Sequence, residues 1–439
     1  MELGEIEPGG KKGIPLHTKI FIGLILGAIA GAICQMTLGR TDENLKWFVE
    51  TIAKPAGNVF LFMIFMVVVP LLFSALLLGV SELGSAKKIG RIGLRSLLMT
   101  VVLSGIAVVL GLTLVNVVKP GGGITVETRE RLLELYGDEK KGEDSLATAK
   151  KAPDDPPLLG FIPKNPFKEI NRDGLIPLMF FALIFGIALA AIEAEKALPV
   201  KQFFEGIFEV SIKIIEYAMK LAPFGVFFLI FATAATLGVD ALFAVGKYVL
   251  LVLLALAIHM FVVYSLVIKL VAKRNPLEFF KQLKTVILTA FSTSSSNATL
   301  PTALKSAEED LGLPRDISAF VLTIGATANQ NGTALFEGIT ILFFAQLFGI
   351  DLSLAQQGTV MGLAIVAGIG TAGVPGGAWP MIATIINSFG MPARAIGLVF
   401  GIDRILDMSR TVLNVTGDIT IAACVNAMEE RSEAKAQAA

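Results

Sequence analysis

The sequence predicts an all-α membrane protein, and three observations support this prediction. The chain has 439 residues, of which 54% are hydrophobic and 17% are charged, below the quarter that is usual in soluble domains. Uncharged stretches long enough to cross about 30 Å of hydrocarbon recur along the chain, for example at residues 59–80. In the last third they give way to shorter apolar pieces interrupted by Ser, Thr, Asn and Gly. The net charge of zero gives no indication of a nucleic-acid partner.

Hydropathy predicts six conventional spans before residue 272. They lie at residues 20–38, 56–80, 96–118, 174–193, 206–235 and 243–271. The fifth span carries charged residues at helical spacing near its start, which predicts a surface at the membrane interface or against other subunits. These residues are Glu205, Glu209, Lys213, Glu216 and Lys220.

Lysine and arginine set the predicted orientation. They cluster between spans two and three and again after span six, so the positive-inside rule places the N-terminus in the cytoplasm. Residues 119–173 then lie outside the cell. Their many charges and prolines predict a mobile, solvated connector.

Two later segments have apolar arms that are too short to span and tips that are polar or rich in glycine. They are residues 285–308, with a Ser/Thr/Asn tip, and residues 359–390, with the tip GIGTAGVPGGAWP. Non-helical backbone is tolerated at membrane depth only when it is buried in protein or lines a wet cavity. Each segment is therefore predicted to be a re-entrant helical hairpin, with two ordinary loops between short helices as the alternative.

Each predicted hairpin is followed by one polar helix. The first helix, residues 317–350, is interrupted at 328–333, and the second covers residues 395–426. Two such units of opposite orientation indicate an inverted repeat, and substrates of transporters built this way bind near the midplane.

Polar residues of the last helix are expected to share one face. At about 100° per residue, five positions fall within about 60° of Asp407. These are Asp403, Arg410, Thr411, Asn414 and Asp418. Charged groups inside a spanning helix are costly, so they are expected to face the protein interior and to be functional. Ion pairs that serve packing alone are the alternative.

Four motifs of this region resemble the dicarboxylate/amino acid:cation symporter family, which contains the glutamate transporters. They lie in the correct order at residues 292–301, 329–338, 370–377 and 407–418. The resemblance covers nearly the whole chain and implies a glutamate-transporter-homologue fold with eight transmembrane helices and two re-entrant hairpins. It also implies a homotrimer in the lipid bilayer of the cell inner (plasma) membrane, with cytoplasmic termini and an elevator mechanism.

The resemblance also divides the chain into domains. The expected scaffold comprises residues 1–80 and 174–240. The expected transport domain comprises residues 81–118 and 241–430, and residues 119–173 and 431–439 form an external loop and a cytoplasmic tail.

The resemblance implies a substrate site for aspartate or glutamate and no organic cofactor. Asp407 resembles the acid that holds the substrate ammonium, and Arg410, helped by Thr333, resembles the partner of the side-chain carboxylate. Asn414 and the backbone near Ser296 resemble the clamp on the main-chain carboxylate. The set is completed by Ser295, Val374, Gly376 and Thr411. Because both Asp407 and Arg410 are present, an acidic amino acid is favoured over a C4-dicarboxylate.

Departures from the family pattern concern the coupling ions. Asn331 stands where sodium-coupled members usually have an aspartate, and Thr100 and Leu103 replace further ligands, although Ser104 is kept. A second sodium site around Asn329, Asn414 and Asp418 is retained. Glu337 resembles the glutamate of proton-coupled animal members, so a proton is the expected driving ion. Arg404 is expected to replace an arginine that some members carry where this chain has Ser294.

Other functions remain as alternatives. They are a sodium-coupled aspartate/glutamate symporter, a C4-dicarboxylate carrier and an anion channel. An intramembrane hydrolase is disfavoured, because Ser294, Ser295 and Ser296 have no histidine or lysine nearby in the motif to act as a base.

Overall fold

The computed structural model describes residues 16–39, 42–84, 90–136, 165, 175–237, 239–370 and 376–437. Within these ranges every regular element is a helix and no strand occurs. Seven helices there are long and apolar enough to cross a membrane. They are Thr18–Leu38, Glu43–Leu78, Arg91–Val118, Ala194–Thr236, Phe243–Ala272, Arg315–Phe348 and Asp403–Ala434. The predicted fourth span is Leu175–Ala191, an apolar helix of 17 residues.

Several of these elements differ in detail from the predicted spans. The second consists of Lys54–Phe65 and Val68–Gly84. The third is Gly90–Val118, and the fifth is one helix, Ala194–Leu237, of 44 residues. The sixth begins as Val239–Ile258 and continues through π-helical turns to Ala272.

The first span, Leu16–Leu38, packs closely against the fifth through three glycines spaced four residues apart. A Cβ atom added at Gly23, Gly27 or Gly31 would lie 2.4–2.5 Å from a backbone carbonyl oxygen of the fifth span. Small residues at this spacing let two helix backbones approach each other, which is a common way to join helices in membranes.

The two polar helices lie in the interior of the protein. The interrupted helix consists of Arg315–Ala328 and Asn331–Phe348, and the last helix is Asp403–Gln437. Both are almost wholly buried, whereas the first span is largely exposed. The other helices therefore shield the polar ones from lipid, in agreement with the cost of charged groups in hydrocarbon.

Each predicted hairpin segment contains two helices. The first comprises Lys284–Thr293 and Ser296–Glu309, which pack against each other and against the last helix. The second comprises Leu354–Gly370 and Trp379–Ser388, with residues 371–375 of its tip outside the described ranges.

The prediction of a solvated connector after the third span is wrong for part of its length. Residues Val126–Tyr136 form a helix in which Leu132 and Tyr136 are buried in the main hydrophobic core. These apolar residues follow one another at helical spacing, so they share a face that packs inward. The remainder of the predicted loop lies largely outside the described residues. The predicted cytoplasmic tail also begins as helix, because the last helix continues to Gln437.

Candidate functional site

Arg410 is the central cation of a buried cluster on the last helix. Its Nη2 lies 2.7 Å from Asp407 Oδ1 and 3.1 Å from Asp403 Oδ1, and its guanidinium lies 3.9 Å from the centre of the Phe336 ring. Its Nε and Nη1 groups have no hydrogen-bond partner within the described residues. Since buried donors are almost always paired, these two N–H groups are suited to a ligand carboxylate.

Asp407 has contacts on several sides. Gly376, in the second predicted hairpin segment, donates its backbone N–H to Asp407 Oδ2 at 3.3 Å. Arg404 Nη1 lies 4.0 Å from the same oxygen. Thr411 donates its hydroxyl to the Asp407 carbonyl at 2.9 Å. Arg404 therefore lies close to Asp407, and its replacement of an arginine at the first hairpin tip stays a prediction. Val374 lies outside the described residues.

Asn414 joins the last helix to the break in the interrupted helix. Its Oδ1 accepts the backbone N–H of Gly332 at 2.7 Å, and its Nδ2 donates to Thr333 Oγ1 at 3.2 Å and to Gln330 Oε1. A Cβ at Gly332 would lie 2.8 Å from the Arg410 carbonyl oxygen, so a glycine is needed for this close approach.

The first predicted hairpin segment turns at Ser294, which adopts left-handed backbone geometry with φ 52° and has a buried hydroxyl. The Ser295 side chain then accepts the Ala298 N–H at 3.2 Å as a helix N-cap, and Ser296 begins the second arm. Non-glycine residues rarely adopt this conformation, and it concentrates at functional sites.

A hydrogen-bonded chain of neutral groups surrounds Asn331. Ser104 donates to Asn331 Oδ1 at 2.6 Å, and Asn331 Nδ2 donates to the Tyr264 hydroxyl at 3.0 Å. Tyr264 in turn donates to the Leu413 carbonyl at 3.2 Å. A Cβ at Gly417 would lie 2.5 Å from the Tyr264 oxygen, so this glycine makes room for the hydroxyl.

Asn329, at the end of the first half of the interrupted helix, forms a second polar pair with Asp418 of the last helix. Asn329 Nδ2 donates to Asp418 Oδ1 at 2.6 Å, and both side chains are buried. A cavity of about 20 Å³ adjoins them and is also lined by Ser96 and Thr100. This volume is sufficient for about one water molecule.

Glu337 is completely buried in the second half of the interrupted helix. Neither of its carboxylate oxygens has a hydrogen-bond partner within the described residues. An isolated carboxylate is very costly to bury in its charged form.

Sequence reasoning identified the polar face of the last helix but missed two participants. Gln330 and Tyr264 contact site residues directly. The sequence signal for Gln330 was its place in the break, between Asn329 and Asn331. Tyr264 lies in the apolar sixth span, about 150 residues before Leu413, and its hydropathy pattern does not distinguish it from a core residue.

Comparison with known protein families gives a match over nearly the whole chain. The family model described as "Sodium:dicarboxylate symporter family" matches residues 16–428. This range contains the two predicted hairpin segments, the interrupted helix, most of the last helix and every site residue described above.

Characterised proteins of similar length also match. The Proton/sodium-glutamate symport protein of Bacillus subtilis (strain 168) is 35% identical over 419 residues, covering 94% of this chain and 92% of that protein. The Proton/glutamate-aspartate symporter of Escherichia coli (strain K12) is 31% identical, covering 96% and 94%. Excitatory amino acid transporter 3 of Homo sapiens is 31% identical, covering 90% and 83%.

Proposed function

Because the chain belongs to the sodium:dicarboxylate symporter family, we propose that it imports aspartate and glutamate across the cell inner (plasma) membrane together with a cation. The family consists of transporters, so the hydrolase alternative is dropped. The observation that carries the substrate class is the buried pair of Asp407 and Arg410. The pair offers a carboxylate for an ammonium group and two unpaired N–H donors for a second carboxylate.

The substrate would lie between the break, the last helix and the two hairpin tips. Arg410 and Thr333 bind its side-chain carboxylate, and Asp407 binds its ammonium group. Asn414 and the backbone at Ser295 and Ser296 hold the main-chain carboxylate, while Gly376 and Thr411 complete the enclosure. Val374 stays a predicted contact, because it lies outside the described residues. A planar guanidinium gives bidentate recognition that a C4-dicarboxylate could also use, but Asp407 favours a ligand with an ammonium group.

A proton is the proposed driving ion, and Glu337 is its carrier. The neutral chain around Asn331 supports weak sodium dependence, since a hard cation prefers charged oxygen ligands. The Asn331 side-chain oxygen already accepts from Ser104, and the Tyr264 hydroxyl accepts from the Asn331 nitrogen. The residues Asn329, Asn414 and Asp418 retain oxygen ligands for a residual sodium site. A sodium-coupled symporter is therefore the second candidate.

The proposed architecture is a homotrimer with an elevator mechanism, eight spans, two re-entrant hairpins and cytoplasmic termini. Packing supports the proposed division into a scaffold and a transport domain. The first and second spans contact the fifth, and the fourth contacts the second. The third and sixth spans pack with the interrupted helix and the last helix. The five charged residues of the fifth span are exposed, which supports a subunit-facing surface there.

Uptake by purified protein in proteoliposomes tests this proposal, with sodium and pH gradients imposed independently. Accumulation of aspartate above the external concentration, driven by an inward proton gradient without sodium, is expected. Dependence on a sodium gradient alone would select the sodium-coupled candidate. Movement of aspartate only down its own concentration gradient, without accumulation, would indicate a channel. Accumulation of succinate in preference to aspartate would indicate a dicarboxylate carrier.

A further inference from the structure

Gln330 is a buried side chain at the helix break to which the proposed substrate contacts assign no role. It is 3% exposed and lies between the two halves of the interrupted helix. Its Nε2 donates to the Ala326 carbonyl at 3.0 Å, and its Oε1 accepts from Asn414 Nδ2. The side chain thus connects the end of the first half-helix to a residue of the proposed substrate site.

Backbone partners fix the orientation of both amides. Asn414 Oδ1 accepts the Gly332 N–H, so its nitrogen must be the atom that faces Gln330. Gln330 in turn directs its nitrogen to a backbone carbonyl, so its oxygen faces Asn414. The second N–H of Asn414 is directed to Thr333 Oγ1. Both donors of Asn414 are therefore engaged.

We propose that Gln330 is a positioning residue that competes with the substrate's main-chain carboxylate for the amide of Asn414. The inference rests on the proposed function, because it takes Asn414 as part of the carboxylate clamp. The Gln330 amide oxygen occupies the position of an acceptor that a carboxylate oxygen would take. A carboxylate is the stronger acceptor, so the substrate displaces Gln330, but each binding event breaks one internal hydrogen bond.

This competition lowers affinity by a factor that does not depend on the substrate side chain. Aspartate and glutamate share the main-chain carboxylate, so both bind more weakly by the same ratio. A net hydrogen bond of ordinary strength corresponds to a factor of about three to ten. Lower affinity also favours release of substrate on the inner side, which a carrier must complete in every cycle.

Replacing Gln330 with Met tests the competition, because methionine has a similar length and cannot accept the Asn414 N–H. Calorimetric titration is expected to give a dissociation constant about three- to tenfold lower for aspartate, and lower by the same ratio for glutamate. In uptake assays KM should fall without a rise in kcat. A residue with a merely structural role could not tighten binding when it is removed.

Two further variants complete the experiment. Gln330→Asn keeps an amide that is too short to reach Asn414 and is expected to tighten binding as well, which covers the case in which Gln330→Met does not fold. Gln346→Met is the matched control, since Gln346 also bonds backbone groups through both amide atoms, at Val115 and Gly121, and its loss should leave affinity unchanged. Unchanged or weaker binding in folded Gln330 variants overturns the inference. Failure of the unmodified protein to bind either amino acid would instead overturn the proposed function.

Discussion

Arg410 is held in place by opposite charges on one side and an aromatic ring on the other. Asp403 and Asp407 pair with one of its nitrogens, and Phe336 lies under the guanidinium plane. The remaining donors can therefore face a ligand without rearrangement of the side chain. Such preorganisation reduces the free energy lost on binding.

Substitution of Arg410 by Cys is expected to abolish aspartate binding. The substrate's side-chain carboxylate would be buried without a partner, a loss of about 3–5 kcal/mol. Arg410→Lys is the matched control for charge, and it should restore only part of the affinity because it lacks the planar fork. Calorimetric titration, with thermal unfolding to verify the fold, measures both variants. Unchanged aspartate affinity in Arg410→Cys would contradict the assignment.

Replacement of Glu337 by Gln is expected to separate exchange from the pH gradient. The variant mimics the protonated state permanently, so it should exchange internal for external aspartate but no longer accumulate it when an inward proton gradient is imposed. Glu429→Gln is a suitable control, because Glu429 is also buried yet is paired with Arg91 and Arg95. It should retain proton-driven accumulation. Accumulation by Glu337→Gln equal to that of the parent would disprove the carrier role.

At the scale of elements, the neutral chain around Asn331 predicts how sodium dependence can be changed. Asn331→Asp would place a carboxylate beside Ser104 and Tyr264, which supplies the charged oxygen that the site lacks. Aspartate affinity in the parent is expected to change less than about a hundredfold, or ~2.7 kcal/mol, when sodium is added. The variant should show a larger dependence. Calorimetric titration of both proteins with aspartate, with and without sodium, measures this dependence. A change in the parent's aspartate affinity beyond about a hundredfold would contradict the proposed proton coupling.

The glycine contacts between the first and fifth spans predict a position-specific loss of stability. Gly27→Val would bring side-chain atoms against the Phe227 carbonyl, where even a Cβ would be 2.4 Å away, and overpacking of this kind costs about 1–3 kcal/mol. Gly105→Val is the control, since a Cβ there meets no atom within 4 Å. Thermal unfolding in detergent should show a lower midpoint for Gly27→Val only. Equal midpoints would mean that the two spans can separate at little cost.

The sequence predicted long elements and their buried faces better than short or non-periodic features. Asp407, Arg410 and Asn414 were found together because residues three and four apart in a helix share a face. The helix Val126–Tyr136 was missed because its surroundings are highly charged, although Leu132 and Tyr136 have the spacing of a packed face. The hydrogen bond between Gln330 and Asn414 could not be predicted, since it depends on how two helices that are distant in sequence pack together. Local sequence preferences contain no information about that packing.

At the scale of the whole molecule, the helix Val126–Tyr136 contacts both the interrupted helix and the fifth span. Arg129 donates to the Leu347 carbonyl of the interrupted helix at 3.4 Å. Tyr136 donates to Thr233 on the fifth span at 2.7 Å, because the Thr233 hydroxyl itself donates to Leu229. Burial raises the pKa of Tyr136 to about 12, so its hydroxyl keeps the donated proton throughout the physiological pH range. An elevator movement must therefore carry this helix along or break one of its two attachments.

The proposed elevator movement predicts that one covalent link between the proposed scaffold and the proposed transport domain will stop transport. Gly401 precedes the last helix, and a Cβ at this position would lie 2.7 Å from Val226 Cγ1 on the fifth span. Because Cγ1 of Val226 is bonded directly to its Cβ, paired cysteines at 226 and 401 are expected to be close enough for a disulfide, which joins Cβ atoms about 3.5–4.5 Å apart. The pair is made as Val226→Cys with Gly401→Cys, after Cys34 and Cys424 are replaced by serine.

Oxidation of this double variant is expected to abolish uptake, and reduction should restore it. The disulfide would prevent the proposed transport domain from sliding along the scaffold. Aspartate binding should survive oxidation, since both linked positions lie outside the proposed substrate contacts. The two single-cysteine variants are the controls, and oxidation should not affect their uptake. Full uptake by the cross-linked protein would mean that the transport domain does not move against the scaffold. A mechanism of local gating at the hairpin tips would then replace the elevator mechanism.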